Sequence, residues 1–190
     1  MRQDCLGRAK RAWYGLTTSR CATIWAMTYP PIRYTGEAGE RSATLRRADA
    51  APDLVYATGT TVDYLATGAS TDGLFGLYRW SMPGKGGPGP HFHRTLTESF
   101  YVLVGRITIY DGTAWRECEP GDFVHVPIGG LHGFRNDSGA FASMLIHFSP
   151  GAPREAYFEG NARFAAEGQP SEEVMAAFYA EHDNVFVEKG

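Results

Sequence analysis

Residues 90–105 read PHFHRTLTESFYVLVG, and the reading of this stretch decides the fold. His91 and His93 stand two apart, so an extended backbone projects both imidazoles to one side. After four intervening residues Glu98 opens the run 98–104. Glu98, Phe100, Val102 and Val104 fall on one face of that run, and Ser99, Tyr101 and Leu103 on the other. Its β-branched and aromatic content makes it a strand. Both faces are largely apolar, so both call for cover. A second sheet would supply one cover. The N-terminal arm, the C-terminal helices or a partner subunit would supply the other.

The neighbouring chain has the same texture. From Asp53 onward, short β-rich runs alternate with Gly, Pro, Asn and Asp. The spacing predicts strands near 53–58, 61–67, 74–82, 98–104, 106–110, 113–117, 122–126, 132–136 and 141–149, with Asp111-Gly112 as a hairpin turn. Many short strands with regular turns indicate a sandwich, jelly roll or barrel. After residue 150 the pattern turns helical. Pro153 suits the start of a short helix through Arg163. Ser171 suits the N-cap of a second, with Glu172 and Glu173 in its first turn and Val174, Ala177, Phe178 and Glu181 on one face. That helix is expected to pack on the barrel surface.

A second cluster carries chemistry. Residues 120–136 read PGDFVHVPIGGLHGFRN, a tight turn that delivers His132 into the following strand. Each piece alone has an ordinary explanation: a surface His pair, a solvated Glu, a simple turn. Together and in strand context, His91, His93, Glu98 and His132 make a ligand set for one divalent metal ion: Fe, Mn, Ni, Co or Zn. The preceding GKGGPGP, residues 84–90, keeps the backbone small beside the metal.

These two segments resemble the two signature motifs of the cupin superfamily. The first runs from His91 through Glu98 to Gly105, and the second from Gly121 to Asn136. One departure exists: the leading glycine of the first motif should fall at Lys85, and glycines stand at 84, 86 and 87 instead. The resemblance covers about residues 70–150. It implies an all-β fold, the double-stranded β-helix or jelly-roll barrel, with an N-terminal arm and short C-terminal helices added here. It also implies His91, His93, Glu98 and His132 as metal ligands. The strings PHFHRTLTESFYVLVGRITIYDG and SPGAPREAYF are further similar to small single-domain bacterial cupins related to quercetin 2,3-dioxygenase. In those enzymes the glutamate matching Glu98 binds metal and takes the substrate's hydroxyl proton, which implies a catalytic Glu98.

Side chains near the ligands are candidates for a substrate pocket. Phe100 shares the face of Glu98 and Phe134 that of His132, while Tyr78 and Trp80 alternate together in the preceding strand. His125 is read as a non-ligand, either a hydrogen-bond partner, a pocket acid/base group or an exposed residue. His147 has the same ambiguity, and His182 is expected to face solvent.

Charge and composition exclude other classes. Residues 1–50 hold nine Lys/Arg against four Asp/Glu, and residues 51–190 hold nine against seventeen, within a net charge of −3. The acidic body repels nucleic acid and carries no basic stripe interleaved with aromatics. No uncharged apolar run is long enough to span a bilayer. The three cysteines, Cys5, Cys21 and Cys118, match no zinc or disulfide framework, which suits a reducing cytoplasm. Three parts follow: an arm over 1–52, partly disordered, a barrel over 53–150 and a helical extension over 151–190. Met27 offers a second start, which would make 1–26 an overlong reading frame. Detecting residues 2–26 in the natural protein by mass spectrometry would defeat that.

The function expected is a metal-dependent oxidoreductase, a quercetinase-like dioxygenase joining O₂ to a small aromatic or enolisable substrate. A non-redox metal cupin, such as a polyketide cyclase or isomerase, and a non-catalytic binding cupin are the alternatives. A homodimer is expected from the doubly apolar strand.

Overall fold

The computed structural model describes residues 29–187. The segment 1–26, with Cys5 and Cys21, lies outside the described residues. The chain divides into two units after Ala43. In the first unit, residues 29–43 form no helix or strand and are exposed throughout. The second unit runs from Thr44 and holds both the strands and the C-terminal helices.

Its larger sheet is antiparallel. It contains β1 (Leu54–Val55), β2 (Thr61–Ala66) and β3 (Gly76–Met82). After β4 (His91–Phe92) come β5 (Thr97–Val104), β6 (Ile107–Tyr110), β7 (Trp115–Cys118) and β8 (Phe123–Val126). Then follow β9 (Gly133–Arg135) and β10 (Ala142–Ser149). The larger sheet runs β1-β2-β3-β10-β5-β8, and a second sheet runs β7-β6-β9. The turn between β6 and β7 is held by the Asp111 carboxylate, which accepts from the backbone of Thr113 and Ala114.

Strand alternation builds the interior. Phe100 and Val102 of β5, Met144 and Ile146 of β10, and Ile107 and Ile109 of β6 are all almost fully buried. Phe134 of β9 meets Phe100 across the two sheets, with ring centroids 5.6 Å apart. Full burial of such side chains is worth about 1.5–3 kcal/mol each, which makes this interior the main source of stability.

Three expectations are corrected. Val104 is half exposed at 49%, because the chain turns away at Gly105. There φ is +72° and a Cβ would lie 2.4 Å from the Phe141 carbonyl oxygen, so only glycine fits. The C-terminal helices also do not cover the outer face of β5, where Tyr101 stays 43% exposed beside Phe123. They pack at the barrel interior's open side instead. Phe158 of α1 (Arg154–Glu167) lies edge-on to Tyr78 and Trp80, both at 5.1 Å. Third, α2 (Glu172–Glu181) buries Met175, while Val174 is 49% exposed. Ser171 does cap it, its hydroxyl accepting from the Val174 N–H. The Phe178 ring fits against Gly160 of α1, where a Cβ would stand 2.5 Å from the ring.

After α2 the chain returns to the barrel. β11 (Val185–Phe186) pairs antiparallel with β4, Val185 opposite Phe92 and Phe186 opposite His91. No described helix is long and apolar enough to cross a membrane.

Candidate metal centre

The ligand strands are tied together through their backbones. The His91 N–H donates to the His132 carbonyl at 2.7 Å, and the His132 N–H returns the bond to the His91 carbonyl at 2.8 Å. This doubly bonded antiparallel pair sends both side chains to one side of the sheet. His93 lies just past β4, and the Gly129 N–H donates to its carbonyl. Glu98 begins the buried face of β5, paired with Val126 and Phe148. The strand pairing therefore brings His132, 34 residues on from Glu98, to the point shared by His91, His93 and Glu98.

The geometry at that point fits a metal. One donor atom from each of His91, His93, Glu98 and His132 lies within 4.8 Å of the others, and all four residues are buried. Each imidazole has its Nδ1 against a backbone carbonyl: His91 on Gly89 (2.9 Å), His93 on Asp183 (2.6 Å) and His132 on Gly130 (2.9 Å). A carbonyl can only accept, so each Nδ1 carries a hydrogen, which leaves each Nε2 to bind a metal or a second proton. The Nε2 atoms of His93 and His132 face the same Glu98 Oε2, at 3.0 and 2.8 Å. At these distances bare nitrogen lone pairs would repel the carboxylate, so either a metal ion lies among them or the imidazoles carry a second proton. Three nitrogen donors and one carboxylate suit several first-row divalent ions and select none of them.

Burial lowers the His91 pKa to about 3, with the His132 charge acting the same way, so His91 stays neutral at neutral pH. Without a metal, burial acts to raise Glu98, but the charges and hydrogen bonds of His132 and His93 in their protonated forms outweigh it and hold the carboxyl below its usual range. Glu98 is therefore ionised. At His132, burial acts downward and the Glu98 charge wins, holding the imidazole above its usual value.

A cavity of about 390 Å³ opens onto His91 and Glu98. This volume suits a small organic ligand. Trp80, Phe134 and Phe148 line it from the barrel, and Arg154, Tyr157, Phe158 and Asn184 line it from the C-terminal segment. The glycine-rich stretch also lines it through Gly86, Gly87 and Gly89. At Gly87, with φ +143°, a Cβ would lie 2.1 Å from the Phe134 carbonyl oxygen. The residue is small there because two backbones touch.

The pocket residues expected from the sequence divide. Trp80 and Phe134 face the cavity, 6.0 Å apart and edge to face. Tyr78 does not line it: the side chain is fully buried, and its hydroxyl donates to Glu155. Phe100 does not line it either, lying buried with its ring 6.0 Å from that of His132. His125 points away. It pairs with Ser99 on the outer face of β5 and β8, is exposed, and bonds the Ser99 hydroxyl at 2.9 Å. His147 stacks on Phe75, and His182 is half-buried against Phe178 rather than facing solvent.

The tail contributes residues that the sequence reading did not single out. Asp183, with φ +53°, orients His93 through its carbonyl. Its carboxylate accepts from the backbone of Arg94 and Thr95 and from the Thr95 hydroxyl. Arg154, Tyr157 and Asn184 form a buried group: Arg154 donates to Asn184, and Asn184 donates to the Tyr157 hydroxyl. Burial draws the Arg154 pKa below its ordinary value, against the charge of Glu98. The only local sign of these roles was an arginine opening an aromatic helix in SPGAPREAYF.

Comparison with known proteins follows the same lines. Residues 78–148 match the family model described as "Cupin domain". Over 87 residues the chain is 35% identical to quercetin 2,3-dioxygenase of Bacillus subtilis (strain 168), covering 46% of this chain and 26% of that protein. The chain thus spans about a quarter of that relative. Among solved structures, a predicted oxalate decarboxylase from Thermotoga maritima superposes with a TM-score of 0.50 at 16% identity, over 57% of this chain and 99% of the other. The polyketide cyclase RemF from Streptomyces resistomycificus gives 0.48 at 25% identity, over 58% and 81%. Strand order, ligand set and domain match agree: residues 78–148 form a cupin domain.

Proposed function

We propose that the protein is a metal-dependent cupin oxidoreductase, a quercetinase-like dioxygenase that joins O₂ to a small aromatic or enolisable substrate. The observation that carries this reading is a buried three-His, one-Glu set opening through His91 and Glu98 onto an aromatic-walled cavity. The sequence likeness to a quercetin dioxygenase supports it.

His91, His93, Glu98 and His132 would hold the metal. When bound, a redox-active divalent ion supplies Lewis acidity toward a hydroxyl or enol oxygen and a route for electrons to O₂. Glu98 accepts the substrate's hydroxyl proton. Its Oε2 is taken by the two imidazoles, and its Oε1 has no hydrogen-bond partner among the described residues, leaving that oxygen for the proton. Trp80 and Phe134 hold a planar substrate, and the surrounding apolar wall keeps bulk water from a reactive intermediate. A homodimer through the partly exposed outer face around Tyr101 and Phe123 belongs to the same proposal, and sedimentation at micromolar concentration tests it.

Oxygen uptake tests the chemistry. Protein reconstituted separately with Fe(II), Mn(II), Co(II), Ni(II) and Zn(II) is offered flavonols, catechols and β-diketones. Uptake with one class, abolished in Glu98→Gln, is the expected result. No uptake by fully loaded protein contradicts the reading and directs the search to anaerobic cyclase or isomerase chemistry.

A further inference from the structure

Arg154 is the first residue of α1 and is 3% exposed. A buried cation is costly unless it is paired. Arg154 forms no salt bridge among the described residues. Its two terminal nitrogens donate to neutral acceptors, the His182 carbonyl at 2.8 Å and the Asn184 Oδ1 at 2.9 Å. Its Nε is buried with no partner among the described residues. Aromatic faces give partial compensation, with the guanidinium carbon 4.4 Å from the Tyr157 ring centroid and 4.9 Å from that of Phe148. Pinning the tail to the helix needs only hydrogen-bond donors, which a neutral amide also offers. The charges of Glu98 and Asp183 favour the cation from a distance, but no carboxylate among the described residues contacts it.

The charge becomes intelligible from the cavity. Arg154 and Lys85 line it, and among the described residues Glu98 is the one carboxylate that does. Glu98 is committed to the imidazoles, and a divalent metal would more than cancel it. The space therefore favours an anion. Phe148 sets a scale: its ring lies 4.9 Å from the Arg154 guanidinium and 6.2 Å from the His93 ring. We infer that Arg154 recognises a substrate carboxylate, and that the substrate is a small aromatic or enolisable carboxylic acid. Its acid group pairs with Arg154, and its reacting end lies at His91 and Glu98, about one ring away. The inference rests on reading the cavity as a substrate site, but it needs no oxygen chemistry.

The test is calorimetric titration of the zinc-loaded full chain with benzoate and with benzamide, two probes of one shape and different charge. Benzoate is expected to bind at least about tenfold tighter than benzamide. Arg154→Gln should erase that preference while zinc content stays constant. Arg154→Lys should weaken benzoate several-fold, because lysine lacks the planar fork, and leave benzamide unchanged. A preference below about threefold in the parent overturns the inference. So does a preference that persists in Arg154→Gln, which would place the carboxylate on zinc alone. If Arg154→Gln does not fold, the parent and Arg154→Lys decide, and unchanged benzoate affinity in Arg154→Lys counts against the inference. An intact benzoate preference without oxygen uptake in any metal form would sink the dioxygenase reading and leave this one standing. Uptake without the preference would do the reverse.

Discussion

The barrel and the C-terminal tail both build the centre, but they do so by different means. The barrel positions His91 and His132 through reciprocal backbone bonds and Glu98 through strand pairing, so its ligands follow from sheet register. The tail works through side chains and single contacts. Asp183 orients His93, Arg154 charges the cavity, and Phe158 packs onto Tyr78 and Trp80. A metal can be held by the first region. The shape and charge of the space beside it come from the second.

Substitutions separate the two. His132→Ala or His93→Ala should abolish most metal binding, measured by metal analysis after dialysis, because each removes a buried donor. Phe158→Ala should instead cost about 3–5 kcal/mol of stability in a denaturant titration while leaving metal content near the parent value. Metal loss in that variant at temperatures where it stays folded would blur the division. Gly160→Val should cost about 1–3 kcal/mol, since its side chain would collide with the Phe178 ring and push α2 off α1.

Asp183→Ala tests whether the tail reaches into the metal site. It removes the carboxylate that holds the turn at Arg94 and Thr95, and should weaken metal affinity by about tenfold, read by competition with a chelator. The smallest effect is expected at Tyr78→Phe. Loss of the Glu155 bond should cost about 1 kcal/mol and leave benzoate binding unchanged, because Tyr78 does not line the cavity.

The same division explains what the sequence reveals. Two-residue alternation made the His91, His93 and Glu98 arrangement readable, and the Pro127 to His132 turn placed the fourth donor. At His125 alternation left a pocket role open beside a hydrogen-bonding or exposed one, and the structure excludes the pocket role. The pairing of Val126 with Glu98 puts Phe123 and His125 outside. β4 and β11 are two residues long each, too short to carry a periodic pattern. The contact of Asp183 with His93 spans ninety positions, and the one between Arg154 and Asn184 spans thirty. Such contacts depend on how the helices dock, which is settled by Phe158, Gly160 and Phe178 together rather than by any local motif.

His91, His93, Glu98 and His132 are placed to hold one metal ion. X-ray absorption at the metal edge of protein reconstituted with a single equivalent of Zn(II), compared with His132→Ala, tests it most directly. The parent should hold one equivalent tightly, with imidazole scattering, and the variant should lose it. Equal metal content and an unchanged coordination spectrum in His132→Ala would contradict that placement.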